Sequence, residues 1–156
     1  MNEITSHFIF PSGSRIWKPF HLGEGCEIGA RVNIGALCHI GNNVEIGEGT
    51  RVQGSTYIAD GCKIGKDCFI GPNVTITNDR HPPSQGKWSP VKIEDNVVIG
   101  GGSTLVAGIT LSSGCIIGAG TVLTKSVASD EVWFGNPGKL KMTREEYETR
   151  RDENGS

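Results

Sequence analysis

The chain has 156 residues, a net charge of −2 at neutral pH and 6% aromatic residues, which bounds it to one domain without a large aromatic core. That charge, with no basic cluster, argues against nucleic acid or an anionic membrane as partner. No apolar run approaches the roughly 20 residues of a membrane span, and Met1 to Phe10 lacks the charged-then-apolar order of a signal peptide, so a cytoplasmic protein is expected.

An aliphatic residue recurs at every sixth position from Leu22 to Ile76, through Ile28, Ile34, Ile40, Ile46, Val52, Ile58, Ile64 and Ile70. With 36% hydrophobic residues, ten such hits in succession arise by chance with a probability on the order of 10⁻⁵. On an α-helix six-residue steps wander around the cylinder, so the period belongs to strands and corners. Two positions before each aliphatic residue stand Cys26, Val32, Cys38, Val44, Thr50, Thr56, Cys62, Cys68 and Val74, small or β-branched as a narrow interior requires. Glycine follows seven of the first nine aliphatic residues, which reads as a turn every six residues. Short strands with regular tight corners coil into a prism whose successive turns hydrogen-bond at about 4.8 Å: an all-β, parallel β-helix. The period walks back to Ile16 and Phe10. The first coil is therefore expected near Phe10, with Pro11, Ser12 and Gly13 at its opening corner and Met1 to Ile9 capping or fraying. Cys26, Cys38, Cys62, Cys68 and Cys115 share one position of the repeat, so they read as buried small hydrophobes, not as metal ligands or disulfides.

At Ile76 the beat breaks, and Thr77 to Pro90 runs without period, carrying Pro82, Pro83, Pro90 and Gly86. A polar loop set into a rigid scaffold is where chemistry tends to lie. Regularity resumes at Ile93 and continues through Ile99, Leu105, Leu111, Ile117 and Leu123. The step from Ile76 to Ile93 is 17 residues, not a multiple of six, so the face carrying the later repeats stays open. Thr143 with Glu146 forms a capping box, which predicts a short exposed helix from Arg144 to about Arg150, followed by a solvated tail. The boundary between coil domain and helix-plus-tail falls at 142/143.

These repeats, together with Arg15-Ile16-Trp17 followed by His21, Thr77-Asn78-Asp79-Arg80-His81-Pro82 and Gly135-Asn136-Pro137-Gly138-Lys139, resemble the hexapeptide-repeat acyltransferases. The resemblance implies a left-handed coil of three hexapeptides per turn, a homotrimer and acetyl-CoA as donor; the hand comes from it alone, since parallel crossovers otherwise favour the right. With that coil, His21, His39 and Tyr57 stack as an outward ladder with Thr75 above, either a packing surface or part of a substrate cleft. The Arg-Ile-Trp opening resembles the nucleotide-linked 3-amino-sugar N-acetyltransferases, in which the Asn of a Thr-Asn pair meets the acceptor amine, here Asn78. Equally, Trp17 could cover the open end of the prism. In the galactoside and maltose O-acetyltransferases a His before Pro is the general base, here His81, and Ser89-Pro90-Val91-Lys92-Ile93 resembles that branch. Asp79 and Arg80 beside them, with His39 and Tyr57, are candidate substrate contacts.

The two branches make different chemical demands. A sugar hydroxyl, with a pKa near that of water at roughly 15.7, needs a positioned base such as an imidazole at about 6.5. An amine that loses its proton near about pH 8 attacks a thioester as the free base, so orientation matters more and an Asn acceptor serves. The resemblance further places the pantetheine arm against Gly101 and Ala119, and the CoA phosphates near Thr124, Lys125 and Lys139. Gly138 stands where alanine is usual, which implies only a looser backbone. A γ-type carbonic anhydrase would need three histidines around zinc, and His21, His39 and His81 lack that spacing. A purely structural β-helix would show unbroken ladders, against which the loop speaks.

Overall fold

The computed structural model describes residues 6–155. The reading of Met1 to residue 5 as a cap or frayed end, and of Ser156 as tail, lies outside the described residues.

The hexapeptide beat becomes a three-sided parallel solenoid of about 7 turns. The first face carries Arg15–Trp17, Asn33–Ile34, Arg51–Val52, Phe69–Ile70, Val98–Ile99 and Ile116–Ile117, all in parallel register. The second carries His21–Leu22, His39–Ile40, Tyr57–Ile58, Thr75–Ile76, Thr104–Leu105 and Val122–Leu123. The third runs from Glu27–Ile28 through Glu45–Ile46, Lys63–Ile64 and Lys92–Ile93 to Thr110–Leu111. Each two-residue strand points its aliphatic member inward: Ile34, Ile40, Ile58, Ile70, Ile76, Ile99, Leu105 and Leu111 are all 0% exposed. Full burial of such a side chain contributes about 1.5–3 kcal/mol. The column of isoleucines therefore holds the coil together without a large aromatic core.

The corners divide their work between two positions. The glycine after each aliphatic residue is needed for close approach: a Cβ on Gly71 would lie 2.5 Å from the Gly101 nitrogen of the coil stacked on it. The left-handed residue comes two places later, at Gly25, Arg31, Leu37, Asn43, Gly49 and their successors. The repeat glycines thus let coils stack, and are not the turn-forming positive-φ residues that their spacing suggested.

The loop falls at the corner between the second and third faces. Residues stacked on successive coils are 18 apart elsewhere, as Glu24 and Asn42 are, but 29 apart across the loop, as Lys66 and Asp95 are, so it inserts 11 residues into one turn. Lys92–Ile93 consequently sits directly on Lys63–Ile64, and the face sequence continues uninterrupted.

Both ends differ from the sequence expectation. His7–Ile9 is an antiparallel strand on Arg15–Trp17, so Pro11 to Gly13 turn a hairpin rather than open a coil. Trp17 lies on the outer side of the first face, 5.1 Å from the His7 ring, with its indole N–H donating to Asn33 Oδ1 at 3.2 Å; it does not cover the prism end. At the other end Glu131–Gly135 adds to the first face in parallel and turns back as Gly138–Thr143. The helix has the expected capping box at Thr143 but extends from Arg144 to Glu153, so Asp152 and Glu153 belong to it and not to a tail. Arg144 docks it, donating to the carbonyls of Asn96 and Gly114 at 2.8 and 2.9 Å.

Four of the five free cysteines are buried; Cys26 is half-buried. It precedes Glu27–Ile28, the terminal strand of the third face, so no coil lies beneath it. Gly138 is not a loosened alanine site. It is buried, and a Cβ there would lie 2.8 Å from Thr121 Cγ2 and 3.2 Å from Leu123 Cδ1.

Candidate active site

The second face and its two bordering corners bring nearly all the candidate residues together. Across the face, parallel register stacks His21 on His39 and His39 on Tyr57, with ring centroids 4.3 and 4.8 Å apart and planes inclined by 11° and 15°. Thr75 follows above Tyr57, then Thr104 and Val122. Burial and the neighbouring His21 hold the His39 imidazole below its ordinary pKa, partly offset by Asp60. A neutral imidazole retains a lone pair to accept a hydrogen bond.

On one border, the corner from the first face to the second is bare. Gly54, Pro72, Gly101 and Ala119 follow one another up the coil, tied by the N–H of Gly102 donating to Pro72 and that of Gly120 donating to Gly101, both at 2.9 Å. Ala119 is exposed and offers only a methyl group, so an extended, slender chain can lie along this strip.

The opposite border carries the loop. Asn42 Oδ1 accepts the Glu24 N–H at 2.8 Å and Asp60 Oδ1 accepts the Asn42 N–H at 2.9 Å, each side chain fastening the coil below. Asn78 is the next rung and reverses this pattern: its side-chain amide donates to the Asp60 carbonyl at 3.2 Å. Swapping the amide's oxygen and nitrogen would set an oxygen against that carbonyl, so the contact itself dictates the orientation. Asn78 Oδ1 accepts no hydrogen bond from the described residues, while its backbone carbonyl accepts the Ser89 N–H at 2.7 Å, closing the neck of the loop.

Within the loop, Asp79 accepts the N–H groups of His81 and Ser84 at 3.2 and 2.9 Å, and these bonds hold its carboxyl below the usual pKa. Arg80 reaches the other way, donating to the carbonyls of Ala107 at 2.9 Å and Thr124 at 3.3 Å, on the two coils above. His81 is exposed, and its ring makes no hydrogen bond with the described residues. Trp88, which the sequence reading passed over, is 55% exposed near the neck.

Lys125 follows Thr124 on the same corner as the loop and is exposed. Lys139 is exposed on the closing strand, opposite Phe134; its neighbour Gly138 packs over Thr121 and Leu123, beyond the last rung of the second face. Among the described residues no group of three or more His, Cys, Asp or Glu is placed to hold a metal ion, and no helix is long and apolar enough to cross a membrane. Sequence reasoning missed the carbonyls that the loop uses, those of Asp60, Leu105, Ala107 and Thr124. Of these, only Asp60 was within reach, one coil before Asn78.

Comparison with known proteins places this architecture. The model described as bacterial transferase hexapeptide (six repeats) matches residues 25–59 and 43–78, and that of the hexapeptide repeat of succinyl-transferase matches 90–125. A 2,3,4,5-tetrahydropyridine-2,6-dicarboxylate N-acetyltransferase of Staphylococcus aureus is 32% identical over 88 residues, covering 56% of this chain and 36% of that protein. The chain thus spans little more than a third of the length of the curated relatives it matches. The structure of a maltose O-acetyltransferase from Clostridium difficile 630 is 32% identical, with 80% of this chain and 70% of that one covered and a TM-score of 0.59. WeeI from Acinetobacter baumannii AYE shares the fold, with a TM-score of 0.72 at 22% identity, over 82% of this chain and 57% of that one. With repeat models on both sides of the loop and a 32% identical relative covered over 70% of its length, the chain belongs to the hexapeptide-repeat transferases.

Proposed function

We propose that the protein transfers an acetyl group from acetyl-CoA to the amine of an amino sugar, linked to a nucleoside diphosphate, in the cytoplasmic synthesis of a surface polysaccharide. The observation that carries this reading is the free Oδ1 of Asn78, held at the neck of the loop by an amide already committed to the Asp60 carbonyl. An amine needs orientation by an acceptor more than it needs a base. Its nitrogen lone pair attacks the thioester carbon, the C–S bond breaks, and the nitrogen's surplus proton passes, with His81 as relay, to the departing CoA sulfur.

Gly101 and Ala119 take the pantetheine arm along the bare corner, and Thr124, Lys125 and Lys139 take the phosphates. Two prisms side by side complete such a groove, which supports a homotrimer. His39 and Tyr57 border the acceptor, and Asp79 and Arg80 hold the loop that brings Asn78 and His81 to it. A second reading has its own support in the 32% identity to a maltose O-acetyltransferase: there the acceptor is a hydroxyl, and the exposed His81 acts as general base.

Release of free CoA thiol with a panel of acceptors tests both. Nucleotide-linked amino sugars should support turnover, while maltose and simple galactosides do not. The reverse preference would establish O-acetylation, and no thiol release with any acceptor would leave a structural β-helix.

A further inference from the structure

We infer that Arg80 is a positioning residue, a clamp that fastens the acceptor loop to the two coils above it on the same corner; this rests on the acetyl-transfer reading. Three consecutive residues tether the loop in three directions. Asn78 fastens it downward to Asp60, and Asp79 closes it on itself through the N–H groups of His81 and Ser84. Upward, Thr77 fastens the start of the loop, its N–H and hydroxyl both donating to the Leu105 carbonyl, and Arg80 holds the part that carries His81, its Nη1 donating to Ala107 and its Nη2 to Thr124. Those carbonyls belong to two successive coils, and Thr124 adjoins Lys125, the residue assigned to the donor's phosphates.

A planar fork holds two nitrogens at a fixed spacing and so fixes the loop against two carbonyls at once; a lysine ammonium, a point charge with three rotatable donors on a flexible stem, imposes no such geometry. Arg80 lies between the two groups that face the reaction, Asn78 and His81. Its clamp therefore fixes how far both stand from an acetyl group delivered along the coils. Among the described residues no carboxylate pairs with Arg80, so its hydrogen bonds to backbone are its anchorage.

The test compares wild type, Arg80→Lys and Arg80→Ala by hydrogen exchange of the loop amides and by kinetics. In both variants the amides of His81 and Ser84 should exchange at least tenfold faster, while those of the coil stay protected. Because displacement of about 1 Å at a reacting group costs on the order of 10²-fold, kcat should fall about 10- to 100-fold, with KM for acetyl-CoA and acceptor within about threefold of wild type. Methylguanidinium added to Arg80→Ala should restore part of the lost kcat. Unchanged loop exchange in both variants would overturn the clamp. A raised acceptor KM at constant kcat would also overturn it, by making Arg80 a substrate contact. If wild type acetylates nothing, the acetyl-transfer reading fails, and the exchange data still decide whether Arg80 holds the loop.

Discussion

Asn78 stands one coil above Asp60 and donates its side-chain amide to the Asp60 carbonyl at 3.2 Å, whereas Asp60 itself, through Oδ1, accepts the N–H of Asn42 on the coil below at 2.9 Å. The rung where the loop begins has reversed the polarity of the ladder beneath it. An acceptor oxygen that would otherwise fasten the coil is thereby left without a hydrogen bond from the described residues.

The reversal separates amine from hydroxyl acceptors. Asn78→Ala is expected to lose more activity than His81→Ala, because orienting the amine is the harder requirement. The His81→Ala enzyme should still show kcat/KM rising toward about pH 8, which reports deprotonation of the substrate amine. With a hydroxyl acceptor, His81→Ala would instead lose the 10²–10⁴-fold typical of a general base. Steady-state pH profiles of the two variants distinguish the cases.

Lys125 and Lys139 are exposed cations beside and beyond the last rung of the second face. Replacing either by alanine should raise KM for acetyl-CoA about tenfold or more and leave that of the acceptor unchanged, since a charge-assisted contact contributes about 1.5–3 kcal/mol. Unaltered donor kinetics in both variants would move the phosphates elsewhere.

The thiols should divide four to one. Ellman's reagent without denaturant is expected to label Cys26 and to spare Cys38, Cys62, Cys68 and Cys115. Burial pushes Cys62 and Cys68 up from 9.0 to about 11, and Cys115 to about 12, so little thiolate exists in the native state at pH 8. Native labelling of three or more would contradict the packing.

Those same shifts make an alkaline prediction. A thiol whose folded pKa lies above its unfolded value holds its proton more tightly when folded. Its contribution to stability is complete below the unfolded value of 9.0 and is lost as pH rises toward the folded values of about 11 to about 12. Urea midpoints should therefore fall between pH 9 and 11, and fall less in a Cys62→Val variant.

Gly138→Ala should destabilise by about 1–3 kcal/mol, as overpacking does, because the new methyl would lie 2.8 Å from Thr121 Cγ2. Thr121→Ser removes that methyl and keeps the hydroxyl that donates to the Gly118 carbonyl at 2.6 Å. The double variant should recover most of the loss in thermal denaturation; a destabilisation of equal size in both would trace it to the backbone.

What the sequence by itself determined was the repeating interior, though not the role of the repeating glycines. A coil contacts only the coils above and below it, so a six-residue beat specifies the inward column and the buried cysteine position, while the stacking of His21, His39 and Tyr57 followed from the three hexapeptides per turn that the family resemblance implies. The loop was also legible, as the place where the beat stops. Only the tertiary structure decided what happens where periodicity ends. The 17 residues from Ile76 to Ile93 could not reveal the face of re-entry, because the length of an aperiodic insert does not encode where its ends meet. Cys26 lost its cover because the third face begins with its own strand, and Gly138 gained its purpose from a closing strand folded back over Thr121. The reach of Arg80 spans 27 residues to Ala107 and 44 to Thr124. Its partners are backbone carbonyls, which every residue has, so no side-chain pattern marks them in advance; the folded coil brings them to the guanidinium.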